Sequence, residues 1–294
     1  MVRAALLLLA VALCRAATLD SELGVGKSIN IFMRYGYLSI CMRVVPRNDT
    51  DGWVFREPTV SVFKDIDRFV AAPKPRQPKT LFDGDFHMEF CDNLKQLLQA
   101  YFRDFSFERL ERPWRAFTAG WPTDIMARNL GINSSFINGD HCYVLVRVSR
   151  FRETAKLKDL PSNILAEDVV NEAIDEIGIG DTVTVADFIR KYGSHYIASY
   201  VTGNSLYQVA SGNKTVESWA LKRLRVHYYI FSYPSLLTLH EEPTLLKNLD
   251  NLLGNEALLQ LELKTLSPAF KDVKKRKWFE EVIDNYLKLW ESNM

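Results

Sequence analysis

The stretch from Asp181 to Ala210 constrains the fold more than any other part of this 294-residue chain. Thr184, followed three residues later by Asp187, is typical of a capping box and predicts a short helix over Val185–Tyr192. Apolar residues recur there at helical spacing and are expected to pack inward: Val185, Phe188, Ile189 and Tyr192. Gly193 follows at the position where helices commonly end in a residue with positive φ.

Beyond this glycine the sequence predicts a long strand, His195–Val209. The segment is rich in β-branched and aromatic residues, which favour the extended conformation. Gly203 interrupts it, and a glycine inside a strand usually marks a bend, a bulge or a close approach of another backbone. The sequence therefore predicts a helix, a glycine joint and a kinked strand in direct succession.

This succession resembles the signature of the membrane attack complex/perforin (MACPF) family, a Tyr-Gly-Thr-His motif followed by an aromatic residue and, further on, a glycine pair. The matching residues are Tyr192, Gly193, Ser194, His195, Tyr196 and Gly203. Ser194 stands for the family's threonine, and Asn204 stands for its second glycine. Because asparagine tolerates left-handed backbone better than most residues, we expect the bend to be kept. The resemblance implies an α+β fold with a bent, twisted antiparallel sheet flanked by helices.

The order of the flanking segments agrees with the resemblance. Ile29–Val45 is expected to be the first strand. His141–Phe151 is expected to be the second, in which Cys142, Val144, Val146 and Val148 alternate with Tyr143, Leu145, Arg147 and Ser149. A helix is predicted over Ala166–Ile177. Its inward residues are Val169, Val170, Ala173, Ile174 and Ile177, and its exposed acidic residues are Glu167, Asp168, Glu172, Asp175 and Glu176.

The region between the first two strands corresponds to the family's first membrane-inserting segment. An apolar stripe at helical spacing comprises Cys91, Leu94, Leu97, Leu98, Tyr101, Phe102 and Phe105. Charged residues crowd the same region: Arg103, Glu108, Arg109, Glu111, Arg112 and Arg115. Because a basic residue on a lipid-facing surface at the membrane midplane costs about 2–4 kcal/mol, a soluble amphipathic helix packed on the sheet is the favoured interpretation.

The sequence after Val209 predicts a curtailed fold. Family members continue with a second inserting segment and a fourth strand, and neither is recognisable in the tail. The predicted division is a signal over 1–17, a MACPF-like domain over 18–212 and a C-terminal helical region over 213–294. Three apolar stripes support the helical region: Trp219, Leu224 and Tyr228; Leu245, Leu246, Leu249, Leu252 and Leu253; and Trp278, Val282, Ile283, Tyr286 and Trp290.

Features of the whole chain indicate a secreted glycoprotein. Residues 1–17 combine Arg3, an apolar core and a small-x-small site ending at Ala16, as secretory signals do. Three sequons begin at Asn48, Asn133 and Asn213. Removing the signal leaves three disulfide candidates, so one disulfide with a free thiol and an intermolecular bridge are both open: Cys41, Cys91 and Cys142. The formal net charge of +1 gives no reason to expect a nucleic-acid partner.

No catalytic or metal-binding constellation accompanies these features. The sequence has no His-Glu-x-x-His, no Gly-x-Ser-x-Gly and no pair of Cys-x-x-Cys motifs. The five histidines show no zinc-ligand spacing, and a single one at a helix–strand junction, His195, is usually a packed histidine. We therefore expect neither enzymatic activity nor a cofactor or metal.

Three functions then remain. Several stretches, 168–177, 200–209, 249–264 and 287–294, resemble a secreted branch of the family that acts outside the cell in development. That resemblance implies partnership with an extracellular protein ligand or a receptor of a tyrosine kinase pathway. A pore-forming effector acting on a membrane surface and a structural component of an extracellular matrix or eggshell are the alternatives.

Overall fold

The fold is built on one strand of 19 residues, β5, which runs from His195 to Asn213. The computed structural model describes residues 23–32, 60–72, 84–118, 122–130, 132–137, 141–161, 164–213 and 257–292. Besides β5, the strands in these residues are β1 Ser28–Ile29, β2 Gly84–Cys91, β3 Phe105–Phe107, β4 His141–Lys156 and β6 Ala257–Thr265. They form one sheet in the order β2-β4-β5-β6-β3, with β1 added on β5.

The sheet is mainly antiparallel. The pairs β2/β4, β4/β5, β5/β6 and β1/β5 are antiparallel, and only the three-residue β3 runs parallel to its neighbour β6. The helices in the described residues are α1 Leu94–Tyr101, α2 Arg115–Thr118, α3 Thr123–Leu130, α4 Asp168–Asp175, α5 Thr182–Tyr192 and α6 Val273–Ser292. The architecture is therefore α+β, a bent antiparallel sheet flanked by helices, as the sequence predicted.

The alternation predicted for β4 is confirmed, with apolar residues buried on both faces. Tyr143 and Leu145 point into the main core with the helices. Cys142, Val144 and Val148 are buried on the opposite face. Because both faces are covered, β4 has a nearly continuous run of buried residues at its centre.

Gly203 lies where the sheet bends. The β4/β5 ladder changes register between Phe151 and Glu153, beside Gly203, and the β5/β6 ladder changes register between Val201 and Thr202. A Cβ on Gly203 would sit far inside van der Waals contact of the Arg150 carbonyl oxygen. The expected bulge and close backbone approach are both present, and the close approach requires a residue without a side chain.

The start of α5 differs from the prediction. The helix begins at Thr182, and the capping residue is Asp181, whose carboxylate accepts from the Val183 backbone N–H at 2.9 Å. Thr184 lies inside the first turn, where its hydroxyl donates to the Asp181 carbonyl oxygen at 3.0 Å. The capping-box assignment was therefore wrong by one turn, since two potential caps occur three residues apart and the upstream one is used.

Helix α4 is shorter than predicted and has a narrower apolar face. It spans Asp168–Asp175, and Val170 and Ile174 are buried in it as expected. Val169 was expected inside, but it is 59% exposed. Adjacent helical residues are about 100° apart, so burial of Val170 turns Val169 outward. The backbone carbonyl of Val169 instead accepts from the Tyr192 hydroxyl at 3.1 Å.

The apolar stripe around α1 belongs to three elements rather than one helix. Cys91 ends β2, and α1 buries Leu97, Leu98 and Tyr101. Phe105 lies in β3, where it packs edge-to-face against Phe117 of α2 with ring centroids 5.0 Å apart. The segment as a whole packs against the sheet, in agreement with the favoured interpretation.

The C-terminal region contains a strand that the sequence analysis missed. Strand β6 pairs antiparallel with β5 from Ala257 to Thr265. Among the residues that the structure describes, the sheet therefore has four long strands in antiparallel order, β2, β4, β5 and β6. The expected curtailment of the sheet is therefore wrong, and residues 257–265 are not helical. Of the predicted first strand Ile29–Val45, only residues 29–32 are described, and Ile29 pairs with His195 as the second residue of β1.

The last predicted helical stripe is confirmed. Helix α6 spans 20 residues and buries Val282, Ile283 and Trp290. Trp278 and Tyr286 are partly buried against the same core. The other two stripes, over 219–228 and 245–253, lie outside the described residues, as does the predicted signal over 1–17. The domain boundary after residue 212 stays a prediction.

Substitution of Gly203 by alanine should lower the free energy of unfolding by about 2–3 kcal/mol, because the new methyl group forces the β4 and β5 backbones apart. Chemical denaturation followed by circular dichroism measures this loss. The matched control is Gly178→Ala, where the added Cβ would meet only the Asp181 Cβ at 3.4 Å. Equal stability of the two variants would contradict the close approach.

Candidate functional site

Five of the six residues of the predicted signature, Tyr192 to Tyr196, form a buried joint between α5 and β5, and the sixth, Gly203, lies further along β5. Gly193 has φ 84° and ψ 177°, a region of backbone space that is essentially restricted to glycine. A Cβ on it would lie 2.9 Å from the backbone carbon of Ile29. The positive φ expected of Gly193 is confirmed, and the contact with Ile29 is a second reason for glycine.

Ser194 fixes the N-terminal segment to this joint. Its backbone N–H donates to the Ile29 carbonyl oxygen at 3.0 Å, and its hydroxyl accepts from the Ile31 N–H at 3.2 Å. The same hydroxyl lies 3.3 Å from the Ile29 carbonyl oxygen and 3.0 Å from Nδ1 of His195, and its single proton can serve either acceptor. Ser194 is completely buried.

His195 links the joint to the loop that follows β3. Its Nε2 lies 3.2 Å from the backbone carbonyl oxygen of Glu108. A carbonyl oxygen can only accept, so Nε2 carries the proton and Nδ1 is free to accept from the Ser194 hydroxyl. Burial lowers the pKa of His195 to about 4, against the smaller opposing effects of the Glu108 carbonyl and carboxylate. The imidazole is therefore neutral at physiological pH.

The carboxylate of Glu108 closes the joint from the side of β6. Its Oε2 accepts from the backbone N–H of Thr265 at 2.6 Å and from the Thr265 hydroxyl at 3.0 Å. The backbone N–H of Leu266 donates to the Ser194 carbonyl oxygen at 3.1 Å. Segments distant in sequence, β1, the end of β3, β5 and the end of β6, are thus joined by one hydrogen-bonded network.

Two tyrosines flank the joint and pack into the core. Tyr192 and Tyr196 are both almost completely buried. The Tyr196 ring meets Phe63 edge-to-face with centroids 5.2 Å apart. Burial, aided by the nearby charge of Glu108, raises the pKa of Tyr196. Both rings therefore act as packing groups in the core.

The neighbouring Ser194 and His195 could suggest a nucleophile and its base, but their surroundings do not provide for a substrate. Both side chains are fully buried, and each is committed to main-chain partners. Catalytic nucleophiles need access to the reacting atom as well as an adjacent base. The geometry assigns this pair a structural role in the joint.

Asn204, which stands where the resembled signature has a second glycine, does not use the left-handed backbone that was considered for it. It continues β5 opposite Arg150, and its side-chain oxygen accepts from Nε of Arg152 at 2.5 Å. The bend is supplied by the bulge beside Gly203. Asn204 instead anchors the bulged arginine of β4.

A second polar network lies at the other end of β3, and no sequence motif marks it. Arg147 of β4, only 2% exposed, pairs with the carboxylate of Asp104 at 2.5 Å. Arg103 contacts the same carboxylate at 3.1 Å and reaches Nδ1 of His87 at 2.6 Å. Burial alone would raise the pKa of Asp104, but the hydrogen bonds from Arg103 and Arg147 outweigh it and lower the pKa.

The disulfide candidates are not brought together. Cys91 pairs in register with Tyr143, so Cys142 points to the opposite face of the sheet, and the two cysteines form no disulfide. Burial, with the charges of Glu89 and Asp92, raises the pKa of Cys91 to about 12, and its thiol is unreactive at neutral pH. Cys41 lies outside the described residues.

The sequons occupy different settings. Asn133 is exposed, and its side-chain oxygen accepts from the backbone N–H and the hydroxyl of Ser135 at 3.0 and 2.9 Å. Asn213 ends β5 opposite His141. Asn48 lies outside the described residues. Glycosylation of each asparagine stays a prediction.

No three His, Cys, Asp or Glu side chains of the described ranges come together as a metal site would require. Among the helices described, none combines the length and the apolar character that a bilayer-spanning helix needs.

No protein-family model matches the sequence, and a search of curated proteins found no match. Solved structures do show similarity. A cell invasion protein with a MAC/Perforin domain from Bacteroides thetaiotaomicron aligns with a TM-score of 0.43 and 10% identity, covering 90% of this chain and 61% of that chain. GNIP1Aa from Chromobacterium piscinae aligns with a TM-score of 0.46 and 10% identity, covering 90% and 57%.

A third similar structure is Astrotactin-2, a vertebrate-specific, perforin-like membrane protein involved in neuronal development. It aligns with a TM-score of 0.35 and 14% identity, covering 82% of this chain and 41% of that one. This chain therefore spans less than two thirds of the length of each of the three proteins.

The buried His195 should make folding sensitive to acid. The pKa of His195 is about 4 in the folded protein, against the ordinary histidine value of 6.5 in the unfolded chain, so the unfolded chain binds the extra proton between these values. The contribution of His195 to the free energy of unfolding is complete above about pH 6.5. It is lost as the pH falls toward 4, by up to about 1.4 kcal/mol for each pH unit. Denaturant titrations across this range measure the slope.

The control is His195→Gln, which keeps an N–H donor for the Glu108 carbonyl but cannot take up a proton. We expect this variant to be less stable at pH 7.5 and to show a shallower dependence on pH between 6.5 and 4. The same slope in both proteins would rule out His195 as the titrating group.

Proposed function

We propose that this chain is a secreted, non-enzymatic factor with a MACPF-type fold that acts outside the cell. The observation that carries the proposal is the glycine joint between α5 and β5 at Gly193, set within four antiparallel strands. Residues of the MACPF signature build this joint, and its network of buried hydrogen bonds gives Ser194 and His195 a structural reason to be there. The secretory signal and the sequons of the sequence support the extracellular setting.

Within this class, we infer a role like that of the insect Torso-like protein, which this sequence resembles over the stretches 168–177, 200–209, 249–264 and 287–294. That resemblance implies action in embryonic terminal patterning upstream of receptor tyrosine kinase signalling, and in growth control. The direct partner is then an extracellular ligand or the receptor itself. Control of the release or activation of the ligand is the mechanism proposed.

The contacts of the segment that connects β2 to β4 favour the signalling role over pore formation. Arg109, which follows β3, pairs with Asp284 at 2.8 Å and with Glu280 at 3.2 Å on α6. Arg115 of α2 donates to the Glu291 carbonyl oxygen at 3.2 Å, also on α6. Membrane insertion of this segment would separate these partners and carry both arginines toward lipid, where charged side chains are costly.

Pore formation or membrane perturbation remains the second candidate, and one observation favours it. Strand β6 completes the set of four long antiparallel strands, and residues 214–256 connect it to β5. The family resemblance implies that the second inserting segment lies in this position, between these two strands. The expectation that this segment is absent no longer counts against a pore. A structural role in an extracellular coat is the third candidate.

Dye release from liposomes separates the first candidate from the second. The secreted protein should release no more dye from neutral or anionic vesicles than a buffer blank, because the charged connection stays docked on α6. A lytic peptide serves as the positive control, and a heat-unfolded sample shows what non-specific adsorption causes. Concentration-dependent release by the folded protein alone would reverse the ranking of the two candidates.

Co-precipitation separates the signalling role from the structural role. Tagged protein secreted by cultured cells should bring down an extracellular ligand or receptor of a tyrosine kinase pathway in soluble form, whereas an unrelated secreted protein with the same tag should not. Recovery of the protein only in the insoluble matrix fraction, without a soluble partner, would favour the coat component.

A further inference from the structure

The segment that leads into α6 carries five basic residues within seven positions: Lys271, Lys274, Lys275, Arg276 and Lys277. The function proposed above makes no use of this basic run. A dense run of lysine and arginine is typical of a surface that binds a polyanion, such as a nucleic acid or heparin. The structure distinguishes the side chains that the fold itself uses from those that face solvent.

Two of the five basic side chains are used inside the fold. The ammonium group of Lys275 donates to the backbone carbonyl oxygens of Ile174 and Asp175, at the end of α4, at 3.0 and 2.7 Å. The guanidinium group of Arg276 donates through Nε and Nη2 to the carbonyl oxygen of Phe270, at 2.9 and 2.6 Å. Both side chains join the start of α6 to neighbouring segments, so the packing of the fold explains them.

The other three, Lys271, Lys274 and Lys277, are exposed. Within the ranges that the structure describes, none of their ammonium groups forms a hydrogen bond or an ion pair with another part of the chain. Lys274 and Lys277 are three residues apart on α6, and side chains at that spacing lie on the same side of a helix. Lys271 precedes the helix by two residues. We call these three residues the lysine surface.

The position of the lysine surface is unfavourable for α6 itself. The N-terminus of a helix carries a partial positive charge, so nearby cations destabilise the helix and nearby anions stabilise it. The first turn of α6 contains no acidic residue. Its cap is Asp272, whose carboxylate accepts from the backbone N–H groups of Lys274 and Lys275 at 2.7 and 3.3 Å. Stability of the helix therefore gives no reason for these lysines, whereas binding of an external anion does.

We propose that Lys271, Lys274 and Lys277 bind a sulfated polysaccharide of the glycosaminoglycan class. Such a chain carries closely spaced sulfate and carboxylate groups, and each lysine offers a flexible, strongly charged ammonium group that can meet them. The partial positive charge at the start of α6 adds to the attraction. The proposal rests on the extracellular setting of the proposed function, because these polysaccharides occur on cell surfaces and in the extracellular matrix.

A membrane is the competing partner, because exposed aliphatic side chains occur in the same part of the molecule. Val273 is 58% exposed at the start of α6. Ile179 and Val183, 58% and 65% exposed, flank Asp181, whose carbonyl oxygen lies 3.4 Å from Nε1 of Trp278 on α6.

The number of free lysines and the extracellular setting favour the polysaccharide over the membrane. Recognition of anionic lipid commonly uses about four to eight basic residues, and it acts at the cytoplasmic leaflet, where these lipids are concentrated. The lysine surface has only three basic residues, and a secreted protein meets the opposite leaflet.

Two carboxylates limit the extent of the lysine surface. Asp175 is 86% exposed and lies 4.0 Å from the ammonium group of Lys275. Glu281 is exposed one helical turn beyond Lys277. Both carboxylates would repel a sulfated chain, so the contact is confined to about three lysines. By counterion release, the affinity should then fall about 15- to 60-fold between 50 and 200 mM salt.

Binding of the intact secreted protein to immobilised heparin tests the proposal. A triple variant, Lys271→Gln with Lys274→Gln and Lys277→Gln, should bind at least about tenfold more weakly, because three ionic contacts are lost. The matched control removes the same charge at exposed lysines elsewhere, by Lys95→Gln, Lys158→Gln and Lys288→Gln, and should stay within about twofold of the original protein. Equal losses in the two variants, or no binding of the original protein to heparin, would overturn the proposal.

The stability of the triple variant shows whether the lysines support the fold instead. We expect the variant to unfold at the same denaturant concentration as the original protein or at a slightly higher one, because positive charge is removed from the N-terminal end of α6. A lower midpoint would mean that the lysines stabilise the structure, and it would count against a binding role.

Two other probes identify the class of partner. Hyaluronan, an unsulfated glycosaminoglycan, and vesicles that contain phosphatidylserine should both bind much more weakly than heparin. Vesicle binding that depends on the lysine surface, without binding to heparin, would replace the polysaccharide by a membrane. The co-precipitation experiment described above does not use heparin, so failure of this proposal and failure of the signalling role are distinguishable.

Discussion

The close approach of Gly193 to the main chain of Ile29 is the contact on which the rest of this structure depends. The approach leaves no room for a side chain and uses a backbone conformation that essentially only glycine adopts. Because the chain turns at this point, Ser194 and His195 are carried into the interior with their polar atoms aimed at β1 and at the loop after β3. The start of β5 is thereby fixed, and β4 and β6 take their register from β5.

A joint made of buried polar groups is stable only when every group has a partner. Leaving a buried donor or acceptor unpaired costs about 1–3 kcal/mol, which is comparable to the loss of a core methylene or two. Here the partners come from segments that are distant in sequence, and Glu108 and Thr265 are two of these partners. The same network therefore specifies which segments meet, and the signature residues are explained by assembly of the sheet rather than by chemistry on a substrate.

The edge of the sheet is held in place by side chains from several parts of the chain. Strand β3 covers part of β6 through only three residues, and its anchors are ionisable side chains. Helix α6 holds the following loop through Arg109 and packs against Phe32 of the N-terminal segment with ring centroids 5.6 Å apart at Tyr286. The C-terminal helix thus secures two remote parts of the chain against the sheet that the glycine joint organises.

The sequence by itself determined the local features: the helix that ends at Tyr192, the glycine joint, the long β5 and the two faces of β4. These features follow from the spacing of apolar residues and from the backbone freedom of glycine, both of which act within one stretch of chain. Tertiary structure alone decided the conformation of residues 257–265, where leucine, glutamine, glutamate and lysine favour a helix but alternating burial in the sheet selects a strand. It also decided the roles of Glu108, Arg103 and His87, because a hydrogen bond between distant segments leaves no periodic trace in the sequence.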